Sequence, residues 1–215
     1  MKTFYINKIF FCLILIVTCL HSASATEVIL FQDSVKKTPH VLTADELELF
    51  RQRTIDKINE VQEYFSEIAS SENDMDSRKL YMDLSLDHFI NRGKDVNMEV
   101  SFVKNGVEKR AYRPLDAYLQ KLATLPYAKV VIKASKSCVV SNFLKKGVDE
   151  NGKAIYTATA TIYQEFEALD KEGETVYKDV TKKTVEVEVR EVKDLFGTRW
   201  SVLLGDISVA QTRTT

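Results

Sequence analysis

Cysteine, tryptophan, proline and glycine are scarce in this 215-residue chain, which has three, one, three and seven of them. Two of the cysteines, Cys12 and Cys19, fall in the first 25 residues. Once that segment is removed Cys138 stands alone, and no intramolecular disulfide can form. The remainder must rest on its core, and it is long enough to do so as one domain. Cys138, followed by Val139 and Val140, reads as a small apolar residue buried in a strand, not as a reactive thiol. The few glycines form no phosphate-cradling loop, and neither a Gly-x-Ser-x-Gly elbow nor a His-Glu-x-x-His pair occurs. Beyond residue 25 only His40, His88 and Cys138 could supply the usual nitrogen and sulfur ligands of zinc, so no metal and no cofactor is expected. Lys+Arg and Asp+Glu nearly balance at 30 and 31, with no block of one sign, which argues against a nucleic-acid partner.

The chain opens with Lys2 and Lys8, the apolar run Ile9 to Val17, and Ala23-Ser24-Ala25. A charged head, an apolar centre and a small-x-small end make a secretory signal peptide over residues 1–25. The run is shorter than the about 20 residues of a membrane span, so no span is expected after cleavage. The mature chain starts at Thr26, and losing two lysines brings its net charge to about −3. Export to the periplasm or outside the cell is expected. The alternative is a lipoprotein anchored at Cys19, for which Thr18 is a poor preceding residue. Residues 26–42 read as an N-terminal arm, 43–211 as a single domain and 212–215 as a tail.

The domain is organised around four long strands: Tyr127–Leu144, Ala154–Ala168, Thr175–Val192 and Arg199–Gln211. Tyr156, Ala158, Ala160, Ile162, Gln164 and Phe166 alternate with Thr157, Thr159, Thr161, Tyr163 and Glu165, giving a packed face and a wetter one. Val185, Val187 and Val189 repeat the pattern. Asn151-Gly152, Gly173 and Gly197 mark the turns between strands, and Gly205 is placed for a bulge. Ahead of the strands, Thr43-Ala44-Asp45-Glu46 is a capping box. Leu47, Phe50, Thr54, Ile58, Val61, Phe65 and Ile68 follow at helical spacing. A second helix is expected from Asp76 to Arg92, with Leu80 and Leu84 inward and Asp83 and Asp87 facing solvent. Val96, Met98, Val100 and Phe102 then alternate into an Asn105-Gly106 hairpin. Pro114 opens a third helix with Leu115, Tyr118, Leu119 and Leu122 inward, and Pro126 closes it. Ile58, Val61, Phe65, Val130, Ile132, Ile162, Val187 and Val202 are the expected shared core.

The fold class is therefore α+β: helix, helix, hairpin, helix and a four-strand meander, with three helices packed on a strongly curved antiparallel sheet. This order, with the terminal strand Trp200 to Ile207, resembles the nuclear transport factor 2-like superfamily and its exported bacterial members. The resemblance covers residues 43–211 and rests on element order, not on a catalytic motif. It implies a cone-shaped cavity between helices and sheet, which relatives use for catalysis or for ligand binding, and pairing through the outer sheet face. Fold alone does not choose among these uses.

Four residues are candidates for lining such a cavity. His88 follows Asp87 near the end of the second helix. Gln164 is the one polar residue on a packed face and needs partners there. Tyr118 and Tyr156 could share the space, with aromatic core as the plainer reading. Asp206, beside the Gly205 bulge, reads as an edge hydrogen-bonding group. No catalytic pair stands out. The first reading is an exported, non-catalytic module binding a small apolar ligand or an envelope protein. The alternative is a cavity enzyme of the isomerase or dehydratase type with an Asp or His base. Thr157, Thr159, Thr161 and Tyr163, with Lys129, Lys133, Ser135 and Ser137, form an outer face that no helix is left to cover. Two readings of this face stand open: a homodimer through it, or a plain solvated face, since Thr suits water as well as an interface.

Overall fold

The computed structural model describes residues 41–104, 107–134, 137–195 and 197–214. Residues 1–25, read above as a signal, nearly all of the expected arm, Ser135, the Asn105-Gly106 turn and the Phe102 side chain lie outside the described residues. The capping box is formed: the Glu46 amide donates to the Thr43 hydroxyl at 3.3 Å, and the Thr43 amide to the Glu46 carboxylate at 2.8 Å. Helix α1 runs Ala44–Ala69 and buries Phe50, Thr54, Ile58, Val61, Phe65 and Ile68 along one stripe. Inside that stripe the Thr54 hydroxyl donates to the Phe50 carbonyl at 2.7 Å, which satisfies it within the helix.

Helix α2 covers only Met75–Leu86. The expected continuation to Arg92 does not form, because the chain there pairs with the sheet instead. Asp87 is the C-cap, Phe89 is extended, and the Leu204 amide donates to the His88 carbonyl at 2.9 Å. Phe89, 1% exposed, is buried by this pairing, and its burial outweighs the helical preference of the segment. A 3₁₀ turn follows over Ile90–Gly93, with Asn91, Arg92 and Gly93 at positive φ. Leu80 is exposed and Leu84 half-buried, against expectation, because α2 packs mainly on α1 and little else covers its other side. Asp83 and Asp87 face solvent.

Strands β1 (Asn97–Lys104) and β2 (Val107–Pro114) form the hairpin, in register from Asn97 opposite Pro114 to Lys104 opposite Val107. Helix α3, Leu115–Leu122, begins on Pro114 and buries Leu115, Tyr118, Leu119 and Leu122 as read. The first of the four long strands is broken into β3 (Lys129–Ala134), β4 (Val139–Val140) and β5 (Leu144–Val148). All three pair with β6, Ala154–Leu169. The interruption has a local cause. Between the pairs Ala134–Gln164 and Val139–Thr161, and again before Leu144–Thr157, this side carries more residues than β6 can match. At the second gap the Ser141 hydroxyl takes the place of a ladder carbonyl and accepts the Thr159 amide at 2.9 Å. Cys138 lies just before β4 and is half-buried, so it is neither within a strand nor fully enclosed.

Strands β7 (Thr175–Asp194) and β8 (Gly197–Thr214) complete the sheet. Thr212, Arg213 and Thr214 are part of β8, opposite Thr181, Val180 and Asp179. The architecture is α+β, with three helices and a large mixed sheet of eight strands that is not closed. Its order is β2-β1-β8-β7-β6-β3, with β4 and β5 also on β6. It is mixed and not purely antiparallel, because β1 runs parallel to β8 at Met98 opposite Ile207. Asp206 fixes this junction by accepting the Asn97 amide at 2.8 Å. Among the described residues no helix is long and apolar enough to cross a membrane.

All eight expected core residues are at most 3% exposed. Phe65 is the largest of them, fully enclosed, with its ring edge-on to Tyr118 at 5.3 Å between centroids. Phe65→Ala is expected to cost about 3–5 kcal/mol in urea unfolding. A loss below about 1 kcal/mol would mean that α1 does not dock through this ring.

Candidate functional site

The inner face of β6 is apolar from Ala154 through Ile162, then carries Gln164. Across the ladder, Val189, Val187 and Val185 lie opposite Tyr156, Ala158 and Ala160. Strand alternation carries the same face of β7 on to Lys183, Thr181, Asp179 and Tyr177. These sit opposite Ile162, Gln164, Phe166 and Ala168. The face thus changes from apolar to polar between Val185 and Lys183 without turning to solvent: Lys183 is 5% exposed, Asp179 6% and Gln164 6%.

Here α3, the β1–β2 hairpin and the inner face of the sheet line an open cavity of about 410 Å³. One wall is apolar, with Val100, Leu122, Leu125 and Phe166; the other is the row Gln164, Asp179, Thr181 and Lys183. Arg113 and Lys121, both exposed, stand among its lining. The volume falls within the roughly 300–1,000 Å³ of small-molecule sites.

Hydrogen bonds order the polar wall. The Gln164 amide nitrogen donates to the side-chain carbonyl of Gln62, itself buried on α1, so Gln164 both ties helix to sheet and faces the cavity. Asp179 accepts the Tyr177 hydroxyl at 2.7 Å and the Thr181 hydroxyl at 3.3 Å. Burial pushes the Asp179 carboxyl above its usual range, partly offset by those two hydrogen bonds and by Lys183. Burial pulls the Lys183 ammonium down to about 8, opposed by the charges of Asp179 and Glu99. Among the described residues no hydrogen bond or ion pair engages the Lys183 ammonium, although the residue is largely buried and lines the cavity. Glu99 is committed elsewhere: it accepts the Val209 amide at 2.7 Å and pairs with Arg110 at 3.9 Å. Tyr118 is also raised by burial, so its hydroxyl stays protonated.

Of the four residues singled out from sequence, Tyr118 and Gln164 meet in this cavity. Tyr156 does not. It lies eight residues back along β6, roughly 26 Å away, where its hydroxyl accepts the Leu42 amide at 3.1 Å. Nor does His88, which follows α2. Its Nδ1 accepts from the Lys57 ammonium at 2.9 Å and its Nε2 lies 3.7 Å from Glu60. Burial and the Lys57 charge hold this imidazole below its ordinary pKa. A histidine locked in this way to α1 joins elements and is not part of this cavity's lining. A wider groove of about 650 Å³ lies beside it, between α1 and Trp200, with charged walls including Arg53, Lys57 and Glu60. Leu42, next to the start of the described residues, lines one side of it. Asp179, Lys183, Thr181 and Tyr177 were legible, had the Val189-Val187-Val185 alternation been followed back along β7. Among the described residues no cluster of His, Cys, Asp and Glu could hold a metal ion. No family model matches the sequence, and neither a curated protein nor a solved structure matches it.

The buried ammonium makes stability depend on pH. Its pKa is lower folded than the 10.5 of a free lysine, so its unfavourable contribution is full below about 8 and vanishes as pH rises towards 10.5. Lys183→Met removes the group. In urea unfolding the variant is expected to gain on the wild type at pH 7, and that advantage should shrink by on the order of 3 kcal/mol between pH 8 and 10.5. A difference that does not change across this interval would show that Lys183 is hydrated.

Proposed function

We propose that this is an exported, non-catalytic binding module whose cavity takes up one small, mainly apolar molecule. The observation that carries the reading is the two-sided lining: an apolar wall facing a fixed row of polar groups, within a volume suited to a small ligand. The order of elements and the α+β layering support the resemblance to nuclear transport factor 2-like proteins, in which such a cavity is expected. Export is supported by the charged, apolar and small-residue segments of residues 1–25.

One observation favours a second reading. Asp179 is a buried carboxylate with a raised pKa on a cavity wall, which is what a base of the isomerase or dehydratase type requires. Its two oxygens, however, already accept from Tyr177 and Thr181, and no histidine lines the cavity. The geometry therefore supports binding better than catalysis.

The mature chain, titrated with the neutral dye N-phenyl-1-naphthylamine, should show saturable, blue-shifted emission at one dye per chain. Leu125→Trp, which fills the half-buried side of the lining, should weaken uptake at least tenfold while leaving the circular dichroism spectrum unchanged. An equal response from wild type and variant, or no saturation, would remove the reading.

The proposal extends to assembly. Thr159 and Tyr163 are exposed on the outer face of β6, with Val139 and Leu144 exposed beside them on β4 and β5. This mixture of apolar and β-branched side chains suits a homodimer interface. Light scattering at tens of micromolar should give twice the mature mass, and the mass of one chain would end the idea.

A further inference from the structure

The polar wall holds one group whose bonding is incomplete. An ammonium carries three donors, and burying it without acceptors is costly. Lys183 is 5% exposed and lines the cavity, yet none of its donors is used among the described residues. The nearby carboxylates are engaged: Asp179 by Tyr177 and Thr181, Glu99 by the Val209 amide and Arg110. Of the four charged side chains in the lining, Arg113, Lys121 and Lys183 are cationic and only Asp179 is anionic. In the same lining the Thr181 hydroxyl and the Ser101 hydroxyl share Thr212 as a hydrogen-bond partner, so hydroxyl groups add to its polar side. Leu122, Leu125 and Phe166 leave the remainder of the space apolar.

We infer that the cavity selects a small amphiphile bearing a carboxylate, with the carboxylate on the Lys183 ammonium and the apolar body against Leu122, Leu125 and Phe166. The inference rests on the binding-module reading and names its ligand class. A carboxylate is the complementary group because it accepts several hydrogen bonds and offsets the excess of cations over the one carboxylate in the lining. Exposed Arg113 and Lys121 attract the same charge from solution, but water screens them, so they add less than the largely buried ammonium. The volume, about 410 Å³, suits a small molecule and not a peptide segment.

Competition against bound N-phenyl-1-naphthylamine at pH 7 tests this with two matched pairs: dodecanoate with 1-dodecanol, and 2-naphthoate with 2-naphthol. In at least one pair the carboxylate should displace the dye at about tenfold lower concentration or better than its neutral partner, the worth of a hydrogen bond to a buried charge. Lys183→Met should erase that preference, so that each carboxylate and its neutral partner displace the dye at about equal concentrations. Arg113→Gln with Lys121→Gln should reduce the preference by no more than about threefold. Dye that binds but is displaced equally by acid and alcohol overturns the carboxylate inference and leaves the cavity reading intact. So does a preference that survives Lys183→Met or disappears in the Arg113 and Lys121 variant. A chain that takes up neither the dye nor any of the four competitors loses both.

Discussion

The ladder between β6 and β7 is the constraint on which the rest depends. Its register runs from Tyr156 opposite Val189 to Leu169 opposite Thr175. A slip of one residue would carry Thr157, Glu186 and Glu188 inward and the valines out, so the apolar half locks the pairing. That lock in turn holds the polar half inside, since Lys183 and Asp179 are on the same face as Val185. The last strand keeps its parity by irregularity. Opposite β7 it presents Val202 and Leu204, then Ile207 and Val209, then Thr212. Even and odd positions exchange at Gly205-Asp206 and again at Ala210, where β8 carries an extra residue each time. A Cβ on Gly205 would lie 3.1 Å from that of Glu186, so the first bulge needs the missing side chain.

Much of this was legible in residues taken singly. The capping box, the stripe of α1, α3 between Pro114 and Pro126, the β1–β2 hairpin and the Gly205 bulge all depend on chemistry within a few residues of the feature. The end of α2 was not legible, because it is set by Phe89 docking beside Leu204, over a hundred residues away. The break after β3 was hidden for a related reason. Apolar residues continue through Cys138, Val139 and Val140, and only the count against β6 shows that the strand cannot stay in step.

The candidate site divides in the same way. Gln164 announced itself as one polar residue on an apolar face. Tyr118 announced itself by helical spacing, and both line the cavity. Tyr156 shares the face of Gln164, but alternation says nothing of position along a strand, and it lies in the filled half. His88 was misplaced together with the helix assigned to it. Lys183 and Asp179 were passed over because charged residues ordinarily face water. A row that breaks this rule is where local stability has been set aside. Both groups are shifted by burial in the direction of neutrality, which is the mark of that strain.

Why the opening falls at this end follows from lengths. Helix α1 has 26 residues, about 39 Å, and lies obliquely across the sheet. It starts where the Leu42 amide meets Tyr156, passes Gln164 through Gln62, and reaches β3 where the Ser66 hydroxyl donates to the Ile132 carbonyl at 2.9 Å. Its far half therefore covers β3 and the edge of β6, not β7. The inner face from Lys183 to Tyr177 is left to α3, which at eight residues spans about 12 Å before Pro126 ends the segment. A 20-residue β7, roughly 66 Å long if straight, cannot be roofed by so short a helix. The stretch beyond the reach of α3 borders the cavity, and continued as valine it would make that side of the space wholly apolar. It carries Lys183, Thr181, Asp179 and Tyr177 instead, so the same shortfall that opens the cavity also determines that its sheet-side wall is polar.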